Sequence, residues 1–320
     1  MKHGINSFGY FFFSLFLLLS ASCSSKSSNS ECWLSEENVA ALTDSLEKIA
    51  GEYPGEIGIA MISGGGDIVL VGNEDKYPLM SVFKLHQAIS LCDLFESRGT
   101  SLDSVVNISR GELNPDTWSP MLKDHAEDTI SISVRGLLRY TLMQSDNNAS
   151  NYMFEHMQSV AEADSFISTL IPRESFSLKV TEAQMWDDHS LCYYNHTSPF
   201  GAASLIFRLY NGNMLSPDKR DFICTTLEEC RTGTDRIVAP LVGIEGLVAG
   251  HKTGSGFRNA DGILTAHNDV AFITLPDGRS YSLAVFVKDF NGTEKSAASA
   301  IARISEAVYS FLSKSGPKSE

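Results

Sequence analysis

Residues 35–50, SEENVAALTDSLEKIA, carry apolar side chains at helical spacing behind Ser35, which suits an N-cap, with acidic residues in the first turn and Gly51 as a stop. The pattern predicts a surface helix. The period then changes. EIGIAMIS and DIVLVGN are short apolar runs parted by Gly64, Gly65 and Gly66, which supply the freedom a β-hairpin turn needs, so two antiparallel strands are expected. From Ser81 to about Thr234 helical spacing dominates, over residues 81–97, 132–143, 147–157, 162–170, 199–211 and 217–229. Strand-like runs return at 246–254, 268–276 and 281–290, and residues 294–314 form a long amphipathic helix. This order predicts an α+β fold. Residues 35–80 and 235–313 build a sheet subdomain from both ends of the chain, an all-helical subdomain is inserted over 81–234, and residues 314–320 are a polar tail.

Composition narrows the partners more than the fold. The 320 residues are 43% hydrophobic, enough for a sizeable core, while 25 Lys and Arg against 39 Asp and Glu leave a formal charge of −14. Such a surface repels nucleic acid and anionic membranes, so the expected ligand is a small molecule. The N-terminus has a short basic start at Lys2 and His3, an apolar run from about Phe8 to Leu19 and then small residues. That is an export signal, read as a signal peptide over residues 1–22 followed by a Ser-rich tether over 23–34, with a periplasmic destination. The run is too short to be read first as a membrane span. Ser20, Ala21 and Ser22 suit ordinary cleavage, and LSASC also resembles a bacterial lipobox with Cys23 as the acylated residue and Ser20 in place of an aliphatic. We favour a lipid anchor at Cys23. The remaining cysteines, at 32, 92, 192, 224 and 230, show no metal-type spacing, and their pairing is not readable from sequence.

The chemistry begins with PLMSVFKLHQAISLCDLF, residues 78–95, where Ser81 stands three residues before Lys84 in an apolar helix. On a helix that spacing puts both on one face, and a first-turn position aims the helix dipole at charge developing on Ser81. A lysine so enclosed must be neutral or hydrogen-bonded, and a lowered lysine pKa is what a proton-abstracting base requires. On this segment alone, two solvated polar residues at the start of a helix remain an equal reading. The same Ser-x-x-Lys spacing occurs at Ser45/Lys48, Ser216/Lys219 and Ser315/Lys318.

Two further segments separate the readings. Ser145-Asp146-Asn147 follows the apolar YTLMQ run, and Lys252-Thr253-Gly254, preceded by His251, ends a predicted strand. Ser-x-x-Lys, Ser-Asp-Asn and Lys-Thr-Gly in that order, in helix and strand contexts, are the motif set of class A β-lactamases and penicillin-binding proteins. From about residue 35 to 313 the sequence therefore resembles the class A serine β-lactamases, within the penicillin-binding-protein-like serine acyltransferase superfamily. The resemblance implies a five-stranded antiparallel sheet flanked by N- and C-terminal helices, with the helical domain inserted after the first two strands.

It also implies roles. Ser81 is the nucleophile, and Lys84 its base or proton relay. Ser145 passes a proton to the lactam nitrogen, assisted by Lys252, and Asn147 binds the substrate's amide side chain. The backbone N–H groups of Ser81 and Ser255 form the oxyanion hole, a pair of donors that sets such rates. Thr253, Ser255 and Arg236 meet the ring carboxylate, although an arginine in CRTGTDRI also reads as a surface ion pair. Hydrolysis further needs a base for water. VTEAQMWDDHS, residues 180–190, resembles the family's loop between the second and third motifs and makes Glu182 that base.

That loop departs from the common form. Ala183 stands where many members have proline, Trp186 where an asparagine helps hold the water, and Val180 where an arginine pins the loop. The pattern is similar to a divergent branch that leans towards cephalosporins, and the usual class A disulfide is not expected. Trp118, in NPDTWSP, is a candidate aromatic wall, with a core tryptophan as the other reading. Asp187, Asp188, His189 and His196 read as solvated loop residues rather than metal ligands. The leading expectation is hydrolysis of the β-lactam ring of cephalosporins and penicillins, giving antibiotic resistance, by a monomer without metal or organic cofactor. A penicillin-binding D,D-peptidase and a non-enzymatic β-lactam sensor share the three motifs, and Glu182 argues against both.

Overall fold

The computed structural model describes residues 32–74 and 76–315; the expected signal peptide, Cys23, most of the tether and the end of the polar tail lie outside the described residues. Helix α1 (Glu36–Gly51), capped by Ser35, leads into β1 (Glu56–Ser63) and β2 (Ile68–Val71), and the two-residue strand β3 (Tyr77–Pro78) precedes α2 (Phe83–Ser97). The inserted block then runs through β4 (Val105–Ser109), α3 (Pro120–Asp124), β5 (Thr129–Ser133), α4 (Val134–Met143), α5 (Asn147–His156) and α6 (Val160–Ile167). It continues with β6 (Phe176–Ser177), α7 (Glu182–Asp187), β7 (His196–Thr197), α8 (Pro199–Asn211) and α9 (Pro217–Glu228). Strands β8 (Val248–Ser255), β9 (Leu264–Thr274) and β10 (Ser280–Phe290) and helix α10 (Glu294–Lys314) complete it.

The main sheet is antiparallel in the order β2-β1-β10-β9-β8, so strands from the two ends of the chain meet at β1 and β10. Its alternation feeds two cores. On β10, Leu283, Val285 and Val287 pack with α1 and α10 residues such as Leu42 and Ile301, while Ala284 and Phe286 face the core shared with α2 and α8. The larger of these side chains, Leu, Ile, Val and Phe, each contribute about 1.5–3 kcal/mol on burial. Helix α2 is enclosed on all sides, with every residue from Phe83 to Cys92 buried. Gln87 Nε2 donates to the Ser150 carbonyl at 2.9 Å and Ser150 Oγ donates back to Gln87 Oε1 at 2.7 Å, tying α2 to α5.

Three local expectations change. Residues 132–133 are not helical: TISIS alternates, burying Ile130 and Ile132, and pairs as β5 with β4, while Ser133 caps α4 by accepting from the Gly136 N–H. The helix expected at 162–170 is α6, begun earlier by a Ser159–Glu162 capping box. Strand β9 starts at Leu264 rather than 268, because Thr265, His267, Asn268 and Asp269 are all buried polar residues in a segment without an apolar run.

Candidate active site

Ser81 does not lie in the first turn of α2. It sits in the 3₁₀ turn Met80–Val82 that runs straight into Phe83, and side chains three apart eclipse in such a turn, which brings Lys84 under Ser81. Met80 holds φ at 44° and Ser145 at 60°, left-handed conformations that a non-glycine residue keeps only where its surroundings enforce them. Two contacts enforce the nucleophile turn. Buried Asn268 on β9 donates through Nδ2 to the carbonyls of Pro78 and Leu79, at 2.7 and 3.3 Å. Gly254 on edge strand β8 lies so close that an added Cβ would sit 2.5 Å from the Leu79 carbonyl oxygen and 3.2 Å from the Val82 nitrogen. The end of β8, with Ser255, is thereby pressed against the turn that carries Ser81.

The polar side chains converge from four elements. Ser81 Oγ donates to Glu182 Oε1 at 2.7 Å, and Lys84 Nζ donates to Ser81 Oγ at 3.1 Å. Lys84 also donates to the Ser145 carbonyl at 2.8 Å and to Asn147 Oδ1 at 2.6 Å, and lies 2.9 Å from Glu182 Oε1. It is fully buried, so this all-oxygen shell is what makes an enclosed ammonium tolerable, and hydrogen bonding is the answer to its enclosure. Lys252 Nζ donates to Ser145 Oγ at 3.0 Å and to its neighbour's carbonyl at 2.9 Å. Burial, and then repulsion from Lys84, bring the Lys252 pKa down to about 7. Asn147 is engaged at both ends, since its Nδ2 donates to Thr117 Oγ1 at 2.9 Å. Asp146, pushed up by burial, caps α5 and accepts from the Met121 N–H and Ser119 hydroxyl, binding the segment with Trp118 to the Ser145 turn.

Glu182 is not on an irregular stretch but at the start of α7, where Thr181 and Gln184 form a capping box. Without an arginine at position 180, the segment is held by Asn195, which is fully buried. Its Oδ1 accepts from the Lys179 and Val180 N–H groups at 2.7 and 3.0 Å, and its Nδ2 donates to the Val180 carbonyl at 2.8 Å. The Leu79 N–H donates to the Asn195 carbonyl at 2.8 Å, so one residue joins the base of the Glu182 segment to the nucleophile turn. Ala183 is fixed by its N–H donating to Asn151 Oδ1 at 3.0 Å.

These groups open into a cleft of about 520 Å³ lined by Ser81, Ser145, Asn147 and Glu182 on one side and Thr253, Ser255 and Arg236 on the other. Lys84 and Lys252 lie beneath the two serines. Trp118 and Trp186 flank the opening, 53% and 41% exposed, so neither is a core residue. Arg236 is buried and is not a surface ion pair: it donates to the carbonyls of Gly254 and Asn268 and, through Nη2, to Ser255 Oγ at 2.6 Å. Asp188 accepts from the Ser190 N–H and hydroxyl, and His189 stacks on Phe257 with ring centroids 3.7 Å apart. Among the described residues no group of metal-type side chains comes together, and the cysteines at 32, 92, 192, 224 and 230 are free. Asn195, Asn268 and Thr232, whose hydroxyl meets that of Thr253 at 2.6 Å, were not identified from sequence. Each acts on chain far from it, and no local pattern marks it.

The model of a family described as "Beta-lactamase enzyme family" matches residues 41–312. A β-lactamase of Phocaeicola vulgatus is 55% identical over 278 residues, covering 87% of this chain and 87% of its own. The extended-spectrum β-lactamase PER-1 of Pseudomonas aeruginosa is 31% identical over 272 residues, 84% of this chain and 87% of its own. Among solved structures, a class A β-lactamase from Bacteroides cellulosilyticus superposes with a TM-score of 0.80 at 28% identity, covering 87% of this chain and 98% of that one.

Proposed function

The chain belongs to the class A serine β-lactamases, and on that premise we propose that Ser81 opens the lactam ring and Glu182 returns the enzyme to its starting state, with cephalosporins and penicillins as substrates. Hydrolysis of β-lactams is the family's activity and this chain's. The observation that carries the assignment of roles is the direct Ser81–Glu182 hydrogen bond of 2.7 Å, with Lys84 donating to the same hydroxyl.

In the first half-reaction Glu182 takes the Ser81 proton while the Lys84 ammonium stabilises the oxygen as charge develops on it. Lys84, with oxygens all around Nζ, is a donor here, so we assign the base to Glu182. The Ser81 oxygen bonds to the lactam carbonyl carbon, and the N–H groups of Ser81 and Ser255 receive the oxyanion, an interaction of about 3–4 kcal/mol per donor. As the carbon–nitrogen bond breaks, Ser145 gives its proton to the nitrogen and recovers one from Lys252, whose pKa of about 7 suits it to both forms. Exchange with solvent in the open cleft restores both charge states. Acylation also removes the proton that bound Ser81 to Glu182. The freed carboxylate then takes a proton from a water whose oxygen bonds to the ester carbon, and passes that proton to the Ser81 oxygen as the ester bond breaks. No metal or organic cofactor enters these steps.

Thr253 and Ser255 offer hydroxyls to the ring carboxylate, with Arg236 orienting Ser255 and supplying positive charge behind it. Asn147 contributes to the amide side chain while keeping its bond to Lys84. A leaning towards cephalosporins is supported by the divergent Glu182 segment and by the extended-spectrum name of a relative. Export through residues 1–22, lipid attachment at Cys23 and a monomeric state belong to the same reading; detergent phase partition of wild type against Cys23→Ala checks the anchor. The central test mixes the purified protein with a chromogenic cephalosporin. Steady turnover is expected, and one stoichiometric burst that stops would overturn the role given to Glu182.

A further inference from the structure

Behind strand β8 lies a second cluster of reactive groups that the β-lactamase chemistry does not use. Asp269 on β9 is fully buried and accepts from His251 Nδ1, with oxygens at 3.0 and 3.2 Å. The thiol of Cys230 shares one depression with His251, close enough for the imidazole to act on the sulfur. A thiol beside an imidazole that a buried carboxylate holds is the setting that turns a cysteine into a nucleophile. Cys230 and His251 line their own open depression of about 280 Å³, walled by Glu228, Val238, Leu247 and Ala249 and separate from the cleft at Ser81.

We propose that Cys230 is a modification site for small neutral or cationic disulfides, and that the resulting adduct disables the catalytic strand. The thiolate sulfur attacks one sulfur of the disulfide, their S–S bond breaks, and the other half leaves as a thiolate carrying the electron pair. Cys230 is oxidised to a mixed disulfide and the reagent's other half is reduced. Glu228 at the rim and the chain's net charge of −14 select against anionic reagents such as glutathione disulfide.

Thiol reactivity follows the environment. Burial alone would raise Cys230, but His251 beside it and the charge of Lys252 bring it down to about 7. Burial would likewise lower His251, yet Asp269 and Cys230 hold it up at about 10, so the ring stays positive. Burial instead pushes Cys92 and Cys224 up to about 12 and Cys192 to about 11. Only the exposed Cys32 competes among the described cysteines.

The coupling is short. Cys230 Sγ meets Thr232 Oγ1 at 3.4 Å, and Thr232 Oγ1 meets Thr253 Oγ1 at 2.6 Å inside the cleft. The intervening turn has no slack, because a Cβ on Gly233, with φ at +63°, would lie 2.4 Å from Thr253 Cγ2. A group added at Cys230 therefore pushes on Thr253. This second half rests on the role given to Thr253 above; the first half does not.

The test treats intact Cys32→Ser protein with cystamine, maps the adduct by peptide mass spectrometry and follows a chromogenic cephalosporin. One adduct on the Cys230 peptide is expected, with turnover falling about tenfold or more, recovery on reduction, and an unaffected, fully active Cys230→Ser variant. His251→Gln should slow adduct formation at unchanged reagent concentration. Failure to label Cys230 in the folded protein, while the denatured protein labels, would overturn the site. Full occupancy with unchanged turnover would overturn the coupling. Were the parent protein itself inactive, the assignment of Ser81 would fall while labelling of Cys230 still stood.

Discussion

Ser81 Oγ and Glu182 Oε1 lie 2.7 Å apart, the proposed nucleophile and its proposed base in direct contact although 101 residues separate them in the chain. In the mechanism proposed above, this contact lets the carboxylate serve twice, first for the serine proton and then for the water. Replacing Glu182 with Gln removes the base but keeps the shape. Deacylation should fall by about 10²–10⁴-fold, and intact-mass spectrometry should show the β-lactam adduct persisting on Ser81. Acylation should slow as well, measured as burst rate. Turnover at the parent rate would remove Glu182 from the mechanism.

Lys252 is destabilising in exchange for its position. Its folded pKa of about 7 lies below its ordinary 10.5, so between those values the unfolded chain holds a proton that the folded one does not. Its cost is therefore fully present below about pH 7 and fades as pH rises towards 10.5. Lys252→Met should be inactive yet more stable by a few kcal/mol near pH 6, on the order expected from removing a buried charge. The advantage should shrink steadily to pH 10, as followed by denaturant midpoints.

Asn195 holds the Glu182 segment through three hydrogen bonds to its backbone. Asn195→Asp keeps the acceptors but faces the Val180 carbonyl with another oxygen, a loss of about 1–3 kcal/mol. The expected signature is kinetic: adduct formation within a few-fold of wild type, slow release, and faster proteolysis between residues 178 and 196. Equal losses in both half-reactions would mean that Asn195 acts through the nucleophile turn instead.

Gly254→Ala tests the press of β8 on the Ser81 turn. A Cβ 2.5 Å from the Leu79 carbonyl must part the two backbones, and a displaced oxyanion donor costs about 10²–10³-fold in kcat. Binding of substrate should change less than kcat.

Much of this site was legible in the sequence because its working groups are side chains of unusual type at fixed spacings. Ser81 with Lys84, Ser145 with Asn147, and Lys252 with Thr253 sit within single turns or strands, and it is the ordered set of the three that singles Ser81 and Lys84 out from the other Ser-x-x-Lys occurrences. Glu182 was readable by its place between motifs. Asn195 and Asn268 were not, since each satisfies backbone groups on another segment, and a buried asparagine looks in sequence like any turn residue. The missed β5 shows a different failure: its alternation lasts five residues and abuts a strong helical period at Val134, which absorbed it. Ser81 itself moved from helix to 3₁₀ turn because an i, i+3 pair fits either.

The Asn268 bonds to Pro78 and Leu79 span 190 and 189 residues. On a growing chain Ser81, Lys84, Ser145 and Glu182 are all present long before β9 exists, and contacts so distant in sequence form late. A chain ending before Leu264 thus carries the reactive groups without the amide that fixes the nucleophile's backbone. Catalytic competence is a property of the finished polypeptide, conferred by its last quarter on residues made near its start.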